Sequence, residues 1–307
     1  MIEVHGLTKR YGAAVAVDDL SFRVRPGYVT GFLGPNGSGK STTMRMILGL
    51  AAPNAGSATV NGSPYRMLPA PLQHVGALLD PDAAHGGRTA ANHLLWLAQS
   101  NGIARHRVGD VIDMVGLGTV ANRRTKGFSL GMRQRLGIAA ALLGDPGVLI
   151  LDEPVNGLDT DGIRWFRQLL RSLASEGRTI LLSSHVMSEM ALVADHLIVI
   201  GHGHLVADTS MRDFIERNST GHSIVRTPDI DRLAGVLRPR GARLDSEGSG
   251  AWRVSGIDAA TVGDLATEHR ITLHELTPTF ASLEDVYVRL TASDVEFRST
   301  QPVEISS

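Results

Sequence analysis

The sequence predicts an α/β fold built on a parallel sheet, followed by a smaller α+β domain of ferredoxin-like type. Two apolar runs predict the first part. Residues 29–33 precede a glycine-rich loop, and residues 148–151 precede two adjacent carboxylates. The first reads V-T-G-F-L, largely apolar with one threonine, and the second reads V-L-I-L. Short runs of this kind are typical of strands that are buried on both faces of a parallel sheet. The second part is predicted by a change of pattern from about residue 222.

The loop after the first run is the most informative stretch of the chain. Residues 34–41 read G-P-N-G-S-G-K-S, a full match to the pattern G-x-x-x-x-G-K-[ST]. Glycines let such a loop turn its backbone N–H groups inward to bind phosphate, and residues 42–50 are predicted to form the helix that follows. We expect Lys40 to contact the β- and γ-phosphates and Ser41 to place its hydroxyl on Mg²⁺. The other residues expected around the phosphates are Gly34, Pro35, Asn36, Gly37, Ser38, Gly39 and Thr42.

The second apolar run supplies the acidic half of the site. It ends in Asp152, Glu153 and Pro154, and parallel strands deliver such residues to the carboxyl edge of a sheet. Asp152 is suited to hold Mg²⁺, and Glu153 is suited to polarise the water that attacks the γ-phosphate. Together with the loop, these carboxylates predict a site that hydrolyses a nucleoside triphosphate.

A third motif lies between these two. Residues 128–136 read F-S-L-G-M-R-Q-R-L and open a helical pattern over residues 133–143. With the other motifs, this segment resembles the signature of ABC transporter ATP-binding subunits, in the form used by the drug and antibiotic exporter branch. Ser129 and Gly131 match the family's Ser and second Gly, whereas Leu130 and Met132 replace its first Gly and its Gln. The resemblance implies that Ser129 and Gly131 contact the γ-phosphate of an ATP held by a second protomer.

Other positions of the chain match this family in order. The resemblance implies that Tyr11 stacks on adenine, that Asp159 lies in the loop through which two protomers meet, and that His185 reaches the γ-phosphate. It also implies the P-loop ABC ATPase fold with an α-helical subdomain. The cofactors expected from it are ATP and Mg²⁺.

Asp80 departs from the family's commonest pattern. It stands where many ABC ATPases have a Gln that touches Mg²⁺ and the attacking water and lies beside the membrane partner. An aspartate can ligate Mg²⁺, yet it also adds negative charge near the phosphates. Two alternatives therefore stay open: Asp80 is a ligand in the metal shell, or it is a coupling-loop residue turned away from the nucleotide.

Length and pattern predict the domain organisation. Of the 307 residues, 1–220 are expected to form the ATPase domain, with its helical subdomain at about 80–127. Residues 221–292 are expected to form an accessory or regulatory domain with the element order βαββαβ, ending in a helix at 283–290. Residues 293–307 are expected to form a polar, disordered tail.

Composition excludes several classes of protein. The formal net charge is −1 with no basic stripe, which argues against a nucleic-acid partner. There is no cysteine, so neither a disulfide framework nor a Cys-based zinc site is possible. No apolar run approaches the roughly 18 to 20 residues that span a bilayer, and the N-terminus does not have the pattern of a signal peptide. We therefore expect a cytoplasmic protein, peripheral on the inner face of the cell membrane.

These observations lead to one function and two alternatives. The expected function is that of an ATP-hydrolysing subunit that forms a homodimer around two ATP molecules and drives an exporter of drug, antibiotic or lipid-like cargo. The membrane-spanning permease would be a separate chain. The alternatives are a soluble, non-transport ABC ATPase and a binding-only regulator in which Asp80 and Leu130 abolish turnover.

Overall fold

The structure is a computed structural model that describes residues 1–218, 222–248 and 250–279. These residues form two compact units, which meet in the chain between Met211 and Arg212. The helix expected at residues 283–290 and the tail expected at 293–307 lie outside the described residues. No helix in the described part of the chain is both long enough and apolar enough to cross a membrane.

The first unit alternates strands and helices in the order typical of a parallel α/β sheet. Its strands are β1 (Ile2–Tyr11), β2 (Ala14–Val24), β3 (Val29–Leu33), β4 (Ala55–Val60), β5 (Val75–Leu78), β6 (Val148–Leu151), β7 (Thr179–Ser184), β8 (His196–Gly201) and β9 (His204–Ser210). Its helices are α1 (Lys40–Ile47), α2 (Ala90–Ser100), α3 (His106–Met114), α4 (Leu130–Leu142), α5 (Thr160–Ser175) and α6 (Met187–Ala191). A further helix, α7 (Met211–Asn218), begins at the last residue of this unit.

The main sheet has six strands in the order β5-β6-β7-β3-β8-β9. Its first five strands are parallel, and β9 pairs with β8 antiparallel. The strand ends are nearly level, since Leu33 pairs with Ser184 and Leu151 with Leu182. The segments that follow β3, β5, β6 and β7 therefore leave the sheet at one edge, where open α/β sheets bind their ligands.

The core explains why the apolar runs form strands. All residues of β3 and β6 are buried, as expected for strands covered on both faces. A second sheet, antiparallel in the order β2-β1-β4, packs residues such as Leu7 and Leu20 into the same core as Phe32 and Met44. The β1–β4 pairing joins segments about fifty residues apart in the chain, which the sequence motifs did not predict.

Two helices begin earlier than their apolar periodicity predicts. The helix expected at 42–50 runs from Lys40 to Ile47, because Gly39, in the left-handed conformation with φ 102°, ends the loop directly before it. The helix expected at 133–143 begins at Leu130, because the Ser129 hydroxyl accepts a hydrogen bond from Met132 N and caps it. Caps rather than apolar spacing set both starts.

The second unit contains β10 (His222–Arg226), α8 (Ile230–Leu237), β11 (Arg243–Gly248), β12 (Ala251–Ser255), α9 (Ala259–Glu268) and β13 (Glu275–Thr279). Its sheet has the order β11-β12-β10-β13, with every neighbouring pair antiparallel. The apolar residues of 271–276 predict a strand there, but the last strand begins at Glu275, opposite Arg226. Ile271 is instead a core residue of the segment before the strand.

Candidate functional site

The glycine-rich loop follows β3 at the carboxyl edge of the main sheet. Gly37 and Gly39 have φ values of 84° and 102°, which residues with a Cβ rarely adopt. A Cβ on Gly39 would also collide with the carbonyl oxygen of Ala16, and one on Gly34 would lie 2.6 Å from that of Ile200. Gly39 therefore requires glycine both for backbone conformation and for space, whereas Gly37 requires it for conformation and Gly34 for space. The loop closes tightly, as an anion-binding nest must.

Lys40, the first residue of α1, has its ammonium group inside the loop. Its Nζ donates hydrogen bonds to Gly34 O at 2.5 Å and Pro35 O at 3.1 Å. Burial lowers the pKa of Lys40, while the charges of Glu153 and Asp152 act in the opposite direction. A cation that is only 7% exposed and faces two carboxylates is placed to meet an anionic ligand at this edge.

The two acidic residues after β6 both bond to one hydroxyl from β7. Ser183 is fully buried, and its Oγ donates to Asp152 Oδ1 at 2.5 Å. The same Oγ accepts a hydrogen bond from Glu153 N at 2.9 Å. Ser183 therefore holds both the side chain of Asp152 and the backbone of Glu153. The sequence motifs give it no role, and its signal in the sequence is a serine near the end of a strand with an apolar centre.

Glu153 lies beside His185, the residue that follows β7. His185 Nδ1 is 3.0 Å from both Glu153 Oε1 and Glu153 Oε2. Both side chains remain open to solvent, with exposed fractions of 43% for His185 and 22% for Glu153. A carboxylate paired with an imidazole can act in proton transfer, and both groups are accessible from solvent at this edge of the sheet.

The other residues expected in the loop site differ in their exposure to solvent. Asn36, Gly37 and Ser41 are exposed on the loop and on α1, whereas the hydroxyl of Ser38 is buried and has no hydrogen-bond partner within the described residues. Tyr11 lies at the end of β1 and is 53% exposed. The ammonium of Lys9 lies 5.0 Å from the centre of its ring. A flat, exposed aromatic surface of this kind can stack on a base.

Asp80 is the second residue after β5, on the same edge of the sheet. Its Oδ1 accepts a hydrogen bond from Asp82 N at 2.8 Å and so caps the single turn Pro81–Ala83. The residue also lines a largely apolar cavity of about 370 Å³ beside Trp96 and His93. The structure therefore gives Asp80 a local structural contact in addition to its position on the same sheet edge as Asp152 and Glu153.

The residues expected to serve a second protomer form another group. Ser129 is exposed at the N-terminus of α4, and Asp159 is exposed at the N-terminus of α5, where its Oδ1 accepts from Gly162 N at 2.8 Å. A Cβ on Gly131 would lie 2.8 Å from Gly157 O, so α4 and the loop before α5 touch. Within the described residues, the hydrogen bonds of Ser129 and Asp159 stay in these two segments and do not reach the loop at 34–39.

Comparison with known proteins places this arrangement among its relatives. A family model described as ABC transporter matches residues 17–156, and a model described only as a domain of unknown function matches residues 223–284. The chain is 34% identical over 300 residues to an uncharacterised ABC transporter ATP-binding protein of Bacillus subtilis, covering 96% of this chain and 97% of that one. It is 35% identical over 297 residues to the bacitracin transport ATP-binding protein of Bacillus licheniformis, covering 94% and 97%. It is 34% identical over 303 residues to the Nod factor export ATP-binding protein I of Rhizobium leguminosarum bv. viciae, covering 96% of each.

Solved structures agree with these sequence relatives. The ATP-binding subunit of an ABC transporter superposes with a TM-score of 0.65 at 27% identity, covering 71% of this chain and 92% of that one. A dimeric ATP-binding cassette in a post-hydrolysis state superposes with a TM-score of 0.64 at 24% identity, covering 69% and 99%, and supports the fold alone.

Proposed function

Since this chain belongs to the ATP-binding subunits of ABC transporters, we propose that it binds and hydrolyses ATP to power an exporter formed with a separate membrane permease. Full-length relatives named for bacitracin transport and Nod factor export support this over a non-transport ATPase. The observation that carries the catalytic part is the Glu153 carboxylate beside His185, on the sheet edge that also carries Lys40. The cargo class that these relatives favour is a drug, antibiotic or lipid-like molecule.

The phosphate groups of ATP occupy the loop that follows β3. The nest of backbone N–H groups from Gly34 to Gly39 and the ammonium of Lys40 bind the β- and γ-phosphates, with Ser41 and Thr42 at the start of α1. Lys40 exchanges its contacts with the Gly34 and Pro35 carbonyls for phosphate oxygens. Tyr11 stacks on the adenine with its exposed ring.

Hydrolysis requires a base next to the γ-phosphate. Glu153 accepts a proton from the attacking water. His185 contacts both the Glu153 carboxylate and the γ-phosphate and so keeps them in a fixed relative orientation. The exposure of both groups leaves room for that water and for the phosphate. Lys40 stabilises the negative charge that develops on the phosphate oxygens.

The hydroxyl and carboxylate oxygens at this edge of the sheet are also suitable ligands for Mg²⁺. No group of three or more His, Asp or Glu side chains in the described part of the chain converges on a metal site. Magnesium sites next to nucleotides need only one or two protein ligands, because phosphate oxygens and waters supply the rest. Ser41 and Asp152 would hold the ion, which neutralises phosphate charge when bound. Asp80 remains a third candidate ligand.

Two copies of the chain form the complete catalytic unit. The hydroxyl of Ser129, the N–H groups at the start of α4 and the backbone of Gly131 contact the γ-phosphate on the partner chain. Asp159 lies in the loop at which the copies meet. The exposure of Ser129 and Asp159 on one chain supports their use by a second. Because each ATP then touches both copies, ATP binding closes the dimer and hydrolysis releases it.

Residues 221–292 form an accessory domain in this proposal, of ferredoxin-like type. The element order βαββαβ and the sheet order β11-β12-β10-β13 support this assignment. The sequence of this segment carries no catalytic motif, so the domain regulates the subunit or supports its dimer. The ATPase domain itself comprises residues 1–220, with a helical subdomain at about 80–127 that contains α2 and α3.

Two measurements test the proposal as a whole. The purified chain should hydrolyse ATP in steady state; ATP binding without turnover would instead support the binding-only regulator. Co-expression with a permease encoded beside it should bring the chain to the inner face of the membrane and give ATP-dependent efflux. Turnover without membrane association in that experiment would favour the non-transport ATPase.

A further inference from the structure

The backbone of Glu153 has a conformation that its own residue type does not favour. Its φ is 49°, in the left-handed region that residues with a Cβ seldom occupy. Such a conformation persists only where neighbouring groups hold it. Three hydrogen bonds to the Glu153 backbone do this. Its N–H donates to Ser183 Oγ at 2.9 Å, and its carbonyl oxygen accepts from Asn156 N and from Gln134 Nε2, each at 3.2 Å.

Gln134 is the member of this set that comes from a distant element. It lies on α4 and is 1% exposed, although glutamine is mostly a surface residue. Its Oε1 has no hydrogen-bond partner among the described residues. Burying an amide costs free energy unless its polar atoms are bonded. The bond to the Glu153 carbonyl therefore gives the buried side chain a specific task.

The first turn of α4 holds the other end of the same loop. Gly157 has φ 79°, and a Cβ placed on it would collide with Cγ and Cδ2 of Leu130. The Leu130 side chain thus fills the space that the glycine leaves, and Gly131 lies against Gly157 O. Leu130 occupies the position where the family's signature has glycine, so this contact uses a side chain that the commoner pattern lacks.

We propose that Gln134 is a positioning residue for Glu153, and that Leu130 and Gln134 together clamp residues 153–157 onto α4. The proposal rests on the proposed function, in which Ser129 at the head of α4 serves the partner's ATP and Glu153 serves the chain's own. One rigid helix then joins the two half-sites of a single chain. When the partner's ATP fixes the N-terminus of α4, the clamp sets the orientation of the catalytic carboxylate.

Gln134→Met tests the clamp, because it keeps the length of the side chain and removes the hydrogen-bond donor. We expect kcat for ATP hydrolysis to fall about tenfold or more, since small misplacements of catalytic groups have effects of this size. KM for ATP should stay within about twofold, because Gln134 does not contact the nucleotide loop. Gln168→Met, the same change at an exposed position of α5, should match the wild type in both constants.

Combination with Glu153→Gln separates positioning from a general structural role. If Gln134 acts through the base, adding Gln134→Met to Glu153→Gln should not slow single-turnover hydrolysis further. A further loss of tenfold or more would overturn the proposal. So would a wild-type rate for Gln134→Met while Glu153→Gln is slow, in which case the proposed function stands. If Glu153→Gln itself hydrolyses ATP normally, the base assignment fails and the proposal fails with it.

Leu130→Ala keeps the proposal testable if Gln134→Met does not fold. Leu130 is 44% exposed, so shortening it should not prevent folding. The clamp predicts a reduced kcat with an unchanged melting temperature and unchanged KM for ATP. Leu130→Met, which refills the space beside Gly157, should restore most of the rate. A wild-type kcat for Leu130→Ala would overturn the clamp.

Discussion

His185 Nδ1 lies 3.0 Å from each of the two carboxylate oxygens of Glu153, so the imidazole is centred on the carboxylate. The two residues come from different strands, at the ends of β7 and β6, which are neighbours in the sheet. The pairing orients the Glu153 carboxylate. Replacement of His185 and replacement of Glu153 should therefore reduce ATP hydrolysis to different extents.

Replacing His185 removes the group that orients the base but leaves the base itself. His185→Ala should lower kcat by about a hundredfold, within the range typical of a lost acid–base or orienting group, and should retain ATP binding. Steady-state ATPase assays and a nucleotide-binding titration check this. His106→Ala, at an exposed histidine on α3, is the matched control. If the two variants hydrolyse ATP equally fast, His185 has no part in the reaction.

Glu153→Gln keeps the shape of the side chain and removes the proton acceptor. Hydrolysis should slow by roughly 10² to 10⁴-fold, while ATP binding stays intact. Because binding closes the proposed dimer and hydrolysis opens it, size-exclusion chromatography with Mg-ATP should show a stable dimer of the variant. The wild type should form that dimer only transiently. A variant that turns over normally would show that Glu153 is not the base.

Lys40→Ala removes the buried cation at the phosphate loop. ATPase activity should fall to background, and affinity for ATP should weaken by about tenfold or more, because charge-assisted bonds to the phosphates are lost. The control is Lys126→Ala, at an exposed lysine. Isothermal titration with ATP and a turnover assay measure the two effects. Unchanged turnover in the Lys40 variant would refute the phosphate-site assignment.

Asp80→Asn distinguishes the two roles that the sequence left open. If the carboxylate is a Mg²⁺ ligand, the variant should need more Mg²⁺ for half-maximal ATPase activity, because a neutral amide is a poorer ligand for a hard cation. The amide oxygen can still accept the hydrogen bond from Asp82 N, so the turn at Pro81–Ala83 should persist. Coincident Mg²⁺ titrations of the isolated subunit would exclude the metal role. The defect would then be sought in transport by the complex with the permease.

His93 should make the stability of the protein depend on pH. Burial, and secondarily the charge of Arg88, lowers the pKa of His93 from its ordinary value of 6.5. The unfolded chain therefore binds a proton more readily than the folded chain, so stability is full above the ordinary value and falls as the pH drops towards the lowered one. Melting temperatures measured between about pH 7.5 and pH 5.5 should fall less steeply for His93→Phe than for the wild type. Parallel curves would contradict this assignment.

Much of the fold follows from local patterns of residues. Largely apolar runs identified β3 and β6 to the residue, because every residue of a strand covered on both faces is buried and the run ends where the chain leaves the sheet. The glycine pattern at 34–41 likewise has a local cause, since φ values of 84° and 102° at Gly37 and Gly39 depend on the absence of a Cβ. The end of β6 also predicted that Asp152 and Glu153 would reach the edge of the sheet.

Other features depended on residues far apart in the chain. Ser183 bonds to Asp152 and to Glu153 N across two strands, and Gln134 reaches Glu153 from α4. Neither periodicity nor a motif predicts such pairs, because the local sequence around each residue gives no sign of its distant partner. The same holds for the pairing of β1 with β4.

Residue type and spacing within single segments predict the chemistry proposed for this chain: a phosphate loop, a cation at Lys40 and carboxylates at Asp152 and Glu153. How these groups are held is set by contacts between distant segments, with Glu153 at φ 49°, beside His185 and hydrogen-bonded to α4 through Gln134. A strained backbone or a buried amide is stable only when packing supplies its partners. Those partners come from elements that meet only in the folded chain.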